Sequence, residues 1–275
     1  MKNSICCVVV TTIVVATNSI GGASHQSAPP GAKFSGDRQE QLQIRLRPRY
    51  QTRRPNSPGP HPAVLMVSGC SGFADARFPT TYAQRAETLV SAGYVVGYVN
   101  YLAAHGVDNA CDWAPNADGR PIALREIGEY VVAAAADFRD DPGVQGAPVF
   151  AAGWSLGGGG VLTALSVIPE NAFPLAGVVA FFPVCRSVPA WSSSIPALLL
   201  LGDIDNIQPA EFCRALAKRL TAGTRTTVRS YANAHHGFDI SEIPVVTKPE
   251  AGPTLGHNPE ARAAAWAEMM VFLRR

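Results

Sequence analysis

A glycine-rich turn around one serine constrains the fold of this chain more than any other segment. Residues 149–160 read VFAAGWSLGGGG, so an apolar, strand-like stretch runs straight into a turn centred on Ser155 and then into a helix-like stretch. The residue at such a turn needs neighbours without side chains, because the flanking positions come close to other backbone. The pattern G-x-S-x-G between a strand and a helix is typical of a turn that presents a serine hydroxyl at the edge of a sheet.

Other interpretations of this turn are weaker. No Lys-Ser or Lys-Thr follows the glycines, so the segment does not match a phosphate-binding P-loop. The run Gly157 to Gly160 lacks the last glycine of a dinucleotide-binding G-x-G-x-x-G loop. A helix start that merely contains a serine remains the plain alternative.

The rest of the chain predicts an α/β fold of one domain. Apolar stretches alternate with amphipathic ones, which favours one doubly wound, mostly parallel sheet covered by helices on both faces. Residues 42–46 alternate between apolar and polar side chains and predict a half-exposed strand, whereas the proline-rich residues 48–62 predict a loop. Further strands are expected at 63–67, 94–100, 147–152, 175–182, 197–201 and 226–231, and helices at 79–91, 121–138, 156–168, 209–221 and 259–274.

The first residues resemble an export signal. Lys2 precedes twelve apolar residues at 5–16, and small and polar residues follow to Ser24. Twelve residues are fewer than the roughly 20 that span a bilayer, so a stable membrane anchor is the weaker alternative. We expect residues 1–24 to be a cleaved signal peptide, 25–36 a flexible lead-in and 37–275 the single folded domain, secreted or periplasmic.

Cysteine usage agrees with export. Two of the six cysteines lie in the signal, and the remaining four permit three disulfide pairings. We expect Cys70 to pair with Cys111 and Cys185 with Cys213, with free buried thiols as the alternative. There is no C-x-x-C, and no metal site is predicted.

Charge limits the class of partner. The chain has 23 basic and 21 acidic residues and a formal charge of +2. That balance predicts no nucleic-acid partner and no polybasic membrane patch, and it favours a small molecule as the partner. No metal or organic cofactor is expected.

A reactive serine needs a base and a group that orients the base. In α/β-hydrolases these follow the serine as an aspartate or glutamate and then a histidine. Asp203 and Asp205 come after the strand at 197–201, and His235 and His236 come after the strand at 226–231. Each pair leaves one choice open, although Asp203 lies nearer the strand end and suits a turn.

An oxyanion hole requires two backbone N–H groups. One is expected from Leu156, directly after the nucleophile, and the other from the turn at 68–72, which follows the strand at 63–67. We assign the second donor to Cys70. A plain turn with a half-cystine is the alternative for these residues.

Three segments resemble the dienelactone hydrolase family: PHPAVLMVSGCSGF at 60–73, GDIDNIQP at 202–209 and YANAHHGFD at 231–239. The Ala-rich residues 263–272 are similar to the family's terminal helix, so the resemblance spans nearly the whole chain after the signal. It implies the α/β-hydrolase fold and a triad of Ser155, Asp205 and His236, which selects Asp205 over Asp203 and His236 over His235.

Three positions depart from the family pattern. The founding members carry cysteine as nucleophile where this chain has Ser155. Ile240 stands where dienelactone-opening members place an arginine four residues after the histidine, and Ser68 stands where secreted relatives usually have histidine. These departures argue against dienelactone as the substrate.

The sequence therefore predicts a serine hydrolase that cleaves an ester, lactone or similar acyl bond through an acyl-enzyme on Ser155. The loop at 101–120 follows a strand and is expected near the site. Trp113, Trp154 and Phe238 are candidates for lining an apolar substrate pocket, with packing at its rim as an equally good interpretation. A peptidase or acyltransferase of the same fold and a non-catalytic secreted binding protein are the alternatives.

Overall fold

A computed structural model describes residues 34–111, 122–168 and 175–274. The predicted signal peptide and the lead-in up to residue 33 lie outside these ranges. So does Trp113, together with the part of its loop from residue 112 to residue 121. Helices and strands alternate along the described chain, as the apolar pattern predicts.

One seven-stranded sheet organises the molecule, in the order β1-β3-β2-β4-β5-β6-β7. All neighbouring strands are parallel except β1, which pairs with β3 in the antiparallel sense. The predicted mostly parallel sheet is confirmed. The strands are β1 (Gln51–Arg53), β2 (Ala63–Val67), β3 (Val95–Tyr98), β4 (Val149–Trp154), β5 (Gly177–Phe181), β6 (Ala197–Gly202) and β7 (Thr226–Tyr231).

Helices cover both faces of the sheet, because its central strands are apolar on both sides. Every residue of β2, β4, β5 and β6 is buried, which is the pattern of a parallel sheet between two helical layers. One apolar core includes residues of α1, α4, α5 and α6, and the other includes residues of α2 and α7. The helices are α1 (Gly36–Leu46), α2 (Thr81–Ser91), α3 (Tyr101–Ala104), α4 (Leu124–Arg139), α5 (Leu156–Val167), α6 (Ala210–Lys218) and α7 (Pro259–Phe272).

The predicted strand at 42–46 is wrong, since these residues form the end of α1. The Ser35 side chain caps this helix by accepting a hydrogen bond from the N–H of Arg38. Leu42 and Leu46 are 1% and 0% exposed, whereas Ile44 between them is 60% exposed. Residues four apart, such as Leu42 and Leu46, share one face of a helix. With Ile44 midway between them, the three residues also fit the alternation of a strand.

The loop predicted at 48–62 contains more structure than expected. A short 3-10 turn spans Arg47–Arg49, and β1 adds an antiparallel edge to the sheet. The three residues of β1 are polar and exposed, so no apolar pattern in the sequence indicates a strand here. An edge strand of this kind is fixed by its backbone pairing with β3 rather than by burial.

The strand order reverses between β2 and β4, which lie side by side at the centre of the sheet. In open parallel sheets, the crevice at the carboxyl ends of such strands is the usual ligand site. The turn after β2 and the turn after β4 are the two predicted oxyanion-hole segments. The topology therefore brings them together at this crevice.

Among the helices in the described part of the chain, none is both long enough and apolar enough to cross a membrane.

Candidate active site

Ser155 lies in a strained turn between β4 and α5. Its backbone has φ 51° and ψ −114°, a conformation that residues with a side chain rarely adopt. The two flanking glycines make the turn possible. A Cβ on Gly153 would meet the backbone carbonyl of Gly157, and a Cβ on Gly157 would meet the carbonyl groups of the β2 end. The G-x-S-x-G spacing is therefore a steric requirement of this fold.

The Ser155 hydroxyl, His236 and Asp205 form a continuous chain of hydrogen bonds. Ser155 Oγ lies 2.9 Å from His236 Nε2, and His236 Nδ1 lies 2.8 Å from Asp205 Oδ2. A carboxylate can only accept here, so His236 donates through Nδ1–H and its Nε2 is free to accept the serine proton. Asp205 and His236 are each 5% exposed, which shields the chain of hydrogen bonds from water.

Asp205 is held by the loop that follows β6. Its Oδ1 accepts hydrogen bonds from the backbone N–H groups of Ile207, at 2.9 Å, and Gln208, at 2.8 Å, which leaves Oδ2 directed at the imidazole. Asp203 instead points to the surface and binds Arg214 at 2.8 Å. Of the two aspartates, the structure brings Asp205 to the serine.

The histidine loop follows β7, and its two histidines face in different directions. His235 is fully buried, and its Nε2 donates to the carbonyl oxygen of Lys248 at 2.8 Å. The ring of His236 contacts the edge of the Phe182 ring, with centroids 4.7 Å apart. Of the two histidines, only His236 reaches Ser155.

The turn after β2 faces Ser155 across the crevice. A Cβ on Gly69 would lie 3.5 Å from the Ser155 Cβ, so this turn comes close to the nucleophile. The Gly69 N–H is occupied, because it donates to the Tyr82 hydroxyl oxygen at 2.8 Å. Cys70 and Leu156 both line the cavity beside Ser155, as their assignment to an oxyanion hole requires.

Several contacts hold this turn in place. The Tyr101 hydroxyl lies 3.2 Å from the carbonyl oxygens of Ser68 and Gly69. The carbonyl oxygen of Cys70 accepts from the N–H of Ala110 at 2.7 Å, and the side chain of Cys70 forms a disulfide with Cys111. The second disulfide joins Cys185 to Cys213. Both disulfides are the expected pairs.

A cavity of about 280 Å³ opens at the Ser155 hydroxyl. Its walls are mainly apolar, and they include Ile240 at the position where dienelactone-opening relatives carry arginine. Among the described residues, no group of three histidine, cysteine or acidic side chains could hold a metal ion. The cavity is lined by Gly69, Cys70, Ser71, Arg77, Phe78, Tyr82, Arg85, Ala110, Cys111, Trp154, Ser155, Leu156, Phe182, Val184, Ile207, Gln208, His236, Gly237, Ile240 and Leu255.

The aromatic candidates for substrate contact have different positions. Trp154 lines the cavity, although it is only 1% exposed. Phe238 is fully buried behind the site, and its ring packs against Phe182 and Tyr231 with centroids 5.3 and 5.5 Å apart. Phe238 does not line the cavity, so in this structure it supports the wall from behind. The structure does not describe Trp113.

Sequence reasoning missed three residues around the site. Phe182, which packs on His236, has a positive φ of 36° at the end of β5. Arg85 and Asp239 form a buried ion pair, and Arg85 lines the cavity at Ser155. This pair was difficult to predict from the sequence, because a charged residue on the apolar face of a helix does not indicate which residue it pairs with.

A family model described as the dienelactone hydrolase family matches residues 50–275. No curated protein matches the chain. Among solved structures, the chain is similar to a dienelactone hydrolase from Anabaena variabilis ATCC 29413, with 18% identity, a TM-score of 0.54, and coverage of 82% of this chain and 90% of that chain.

Two structures of an esterase from Thermogutta terrifontis show the same fold. Esterase 2 phosphoramylated by tabun has 16% identity and a TM-score of 0.54, and the match covers 82% of this chain and 88% of that one. The butyrate-bound form has 14% identity and a TM-score of 0.53, and covers 82% and 87%. Since the family model spans most of the chain, the protein belongs to the dienelactone hydrolase family and is an ester-cleaving serine hydrolase.

Proposed function

We propose that Ser155, His236 and Asp205 are the nucleophile, the general base and the orienting acid of this hydrolase. The observation that carries the proposal is the hydrogen-bond chain from Ser155 Oγ through both nitrogens of His236 to Asp205. Three loops far apart in sequence meet at atomic distances in the order that proton transfer requires.

Acylation begins when Ser155 Oγ attacks the carbonyl carbon of the ester and His236 Nε2 takes the hydroxyl proton. The negative charge of Asp205 stabilises the imidazolium that forms. The backbone N–H groups of Cys70 and Leu156 bind the developing oxyanion, and one such donor is worth about 3 kcal/mol in the transition state. His236 then gives its proton to the leaving oxygen, and the alcohol departs.

Deacylation uses the same groups. A water molecule attacks the acyl carbon of the Ser155 ester while His236 Nε2 accepts a proton from that water. The tetrahedral intermediate collapses, His236 returns the proton to Ser155 Oγ, and the carboxylic acid is released. The cycle consumes one water molecule for each ester bond cleaved and returns Ser155 and His236 to their starting states.

The size of the cavity supports a small acyl group. Its volume of about 280 Å³ is just below the range of roughly 300–1,000 Å³ that is usual for pockets that hold drug-sized ligands. The apolar walls near Phe182, Val184 and Ile240 favour an uncharged substituent. The fold neighbour solved with butyrate holds a short acyl group. We therefore favour short-chain esters and lactones over long-chain lipids.

Fluorophosphonate labelling tests the nucleophile directly. We expect the wild-type protein to take up one probe molecule, with the adduct on the peptide that contains Ser155. Ser155→Ala should lose both labelling and ester turnover, whereas Ser241→Ala, an exposed serine on a nearby loop, should retain both. Labelling that survives in Ser155→Ala would refute the proposal.

A substrate panel tests the substrate class. We expect p-nitrophenyl acetate and butyrate to be cleaved with higher kcat/KM than the decanoate, and peptide amides not to be cleaved. Preference for the long-chain ester would contradict the size argument. Turnover of peptide amides would instead favour a peptidase.

We also propose that the protein is exported and that residues 1–24 are removed, leaving a lead-in to the domain. This lead-in is shorter than the expected 25–36, because Phe34 is buried in the core and α1 begins at Gly36. The two disulfides support this proposal, because such bonds are rare in reducing compartments. Mass spectrometry of protein recovered outside the cytoplasm should give a first residue close to position 25. An intact N-terminus there would contradict it.

A further inference from the structure

A buried arginine lines the cavity that opens at Ser155. The side chain of Arg85, on α2, is 5% exposed, and that of its partner Asp239 is fully buried. The guanidinium makes two parallel hydrogen bonds to this carboxylate, with Nε 3.0 Å from Oδ2 and Nη2 2.6 Å from Oδ1. This two-pronged arrangement fixes the relative orientation of both groups.

Two aromatic rings enclose the same guanidinium. Its carbon lies 4.3 Å from the ring centroid of Trp154 and 4.6 Å from that of Tyr82, so the cation stacks on both rings. The indole N–H of Trp154 also donates to Asp239 Oδ2 at 3.0 Å. The four side chains therefore form one closed, buried cluster, which we call the arginine cluster: Tyr82, Arg85, Trp154 and Asp239.

Three members of the arginine cluster are each joined to a different part of the proposed catalytic machinery. Trp154 immediately precedes Ser155. Asp239 follows His236 by three residues in the same loop. The Tyr82 hydroxyl accepts the hydrogen bond from the N–H of Gly69, the residue before Cys70. Arg85 contacts all three members, so it links the nucleophile turn, the histidine loop and the oxyanion turn.

We propose that Arg85 is a positioning residue for ester hydrolysis. Through Asp239, Trp154 and Tyr82 it holds the nucleophile turn, the histidine loop and the oxyanion turn in fixed relative positions. This inference rests on the proposed triad and oxyanion hole. Arg85 does not touch the reacting atoms in this role. It sets the distances between groups that do.

The physical basis is the cost of leaving a buried charge unpaired. An arginine and an aspartate in this environment are stable only while their hydrogen bonds are satisfied, which excludes displaced arrangements of the loops. Apolar packing alone would tolerate small shifts. Catalysis would not tolerate them, because a displacement of about 1 Å can lower the rate on the order of 100-fold.

The test replaces both charges at once, so that neither remains buried and unpaired. In the double variant Arg85→Met/Asp239→Asn, methionine retains much of the arginine volume and asparagine can still accept from Trp154. We expect a folded protein whose kcat is lowered about 100-fold while KM changes little, since groups that act in the transition state are displaced. A folded double variant with unchanged kcat would overturn the inference.

A matched control uses another two-pronged arginine–aspartate pair. Arg54 binds Asp141 through two hydrogen bonds, but its side chain is 43% exposed and does not line the cavity. Arg54→Met/Asp141→Asn should leave kcat unchanged. An equal fall in kcat in both double variants would mean that loss of any such pair impairs the enzyme, and the specific role of Arg85 would be rejected.

Arg85→Lys separates charge from geometry, because lysine keeps the positive charge but cannot form the fork. We expect its kcat to fall below that of the wild-type protein. A kcat equal to wild type would show that the charge alone suffices, which contradicts positioning by the fork.

A readout independent of turnover separates this inference from the proposed function. The proton on His236 Nδ1 should give a low-field NMR resonance while it is bound to Asp205. We expect the resonance in the wild-type protein and in Ser155→Ala, and its loss or broadening in Arg85→Met/Asp239→Asn. An unchanged resonance in the double variant refutes positioning of the histidine loop even if the protein proves not to be an esterase.

Discussion

Two buried aspartates lie on neighbouring loops at the same edge of the sheet, and they differ in the partner that each one holds. Asp205, after β6, is 5% exposed and binds His236. Asp239, after β7, is 3% exposed and binds Arg85. An imidazole can gain and lose a proton near neutral pH, whereas a guanidinium stays charged. The partner therefore decides whether a buried carboxylate supports chemistry or fixes structure.

The supporting hydrogen bonds differ in the same way. Asp205 is held by two neutral backbone N–H groups, so in the proposed reaction its negative charge would remain available to an imidazolium on His236. Asp239 is already neutralised by a permanent cation and receives one further hydrogen bond, from the Trp154 indole. The hydrogen bonds of Asp205 therefore leave it able to respond to a change of charge on His236. The bonds of Asp239 instead resist displacement of Arg85.

Asp205→Asn should give the largest effect and should act on activity. The amide cannot hold His236 in the tautomer that accepts the serine proton, so we expect kcat to fall about 10⁴-fold. Stability should change little, because no charge is left buried without a partner. Steady-state kinetics and urea unfolding check both parts, and a modest fall in kcat would argue that another carboxylate orients His236.

Asp239→Asn should act mainly on stability. It leaves the Arg85 guanidinium buried without its carboxylate, and breaking a buried pair in this way costs about 3–5 kcal/mol of the free energy of unfolding. We expect a smaller fall in kcat than for Asp205→Asn. Urea unfolding followed by circular dichroism measures the loss. If the two variants showed the same pattern, the contrast between the aspartates would be refuted.

Asp203→Asn should give the smallest effect. This aspartate is close to Asp205 in sequence, but its pair with Arg214 is exposed, at 41% and 48% of the two side chains. Exposed pairs of this kind contribute about 0–1 kcal/mol, so stability should change by no more than that and kcat should be unaffected. A large fall in kcat would revive Asp203 as the orienting acid.

The groups that meet at the site differ in how far sequence could predict them. The serine turn carries its own signature, because backbone sterics demand glycine at two fixed spacings. Position after a strand narrowed the acid to Asp203 or Asp205. It narrowed the base to His235 or His236 in the same way, and a family resemblance selected one of each pair. Arg85 and Asp239 lie 154 residues apart, and nothing in either neighbourhood indicates the other.

The errors in the fold have physical causes of the same kind. Residues 42–46 were expected to be a strand because two buried leucines with an isoleucine between them also fit period-2 alternation. β1 has no apolar residue to signal it and depends on pairing with β3. Phe238 lies two residues after His236, yet its phenyl ring is buried in the core, and Gly237 between them has a φ of 75°. The local sequence pattern could not predict these features, because they depend on contacts with other parts of the fold.

The backbone at Ser155 has a consequence for how such a protein evolves. A φ of 51° with ψ −114° is a conformation that glycine adopts freely and serine adopts at a cost of about 1–3 kcal/mol. Selection for thermal stability alone would therefore favour glycine at residue 155. A serine there marks a trade-off, in which robustness of the fold is given up for a reactive hydroxyl.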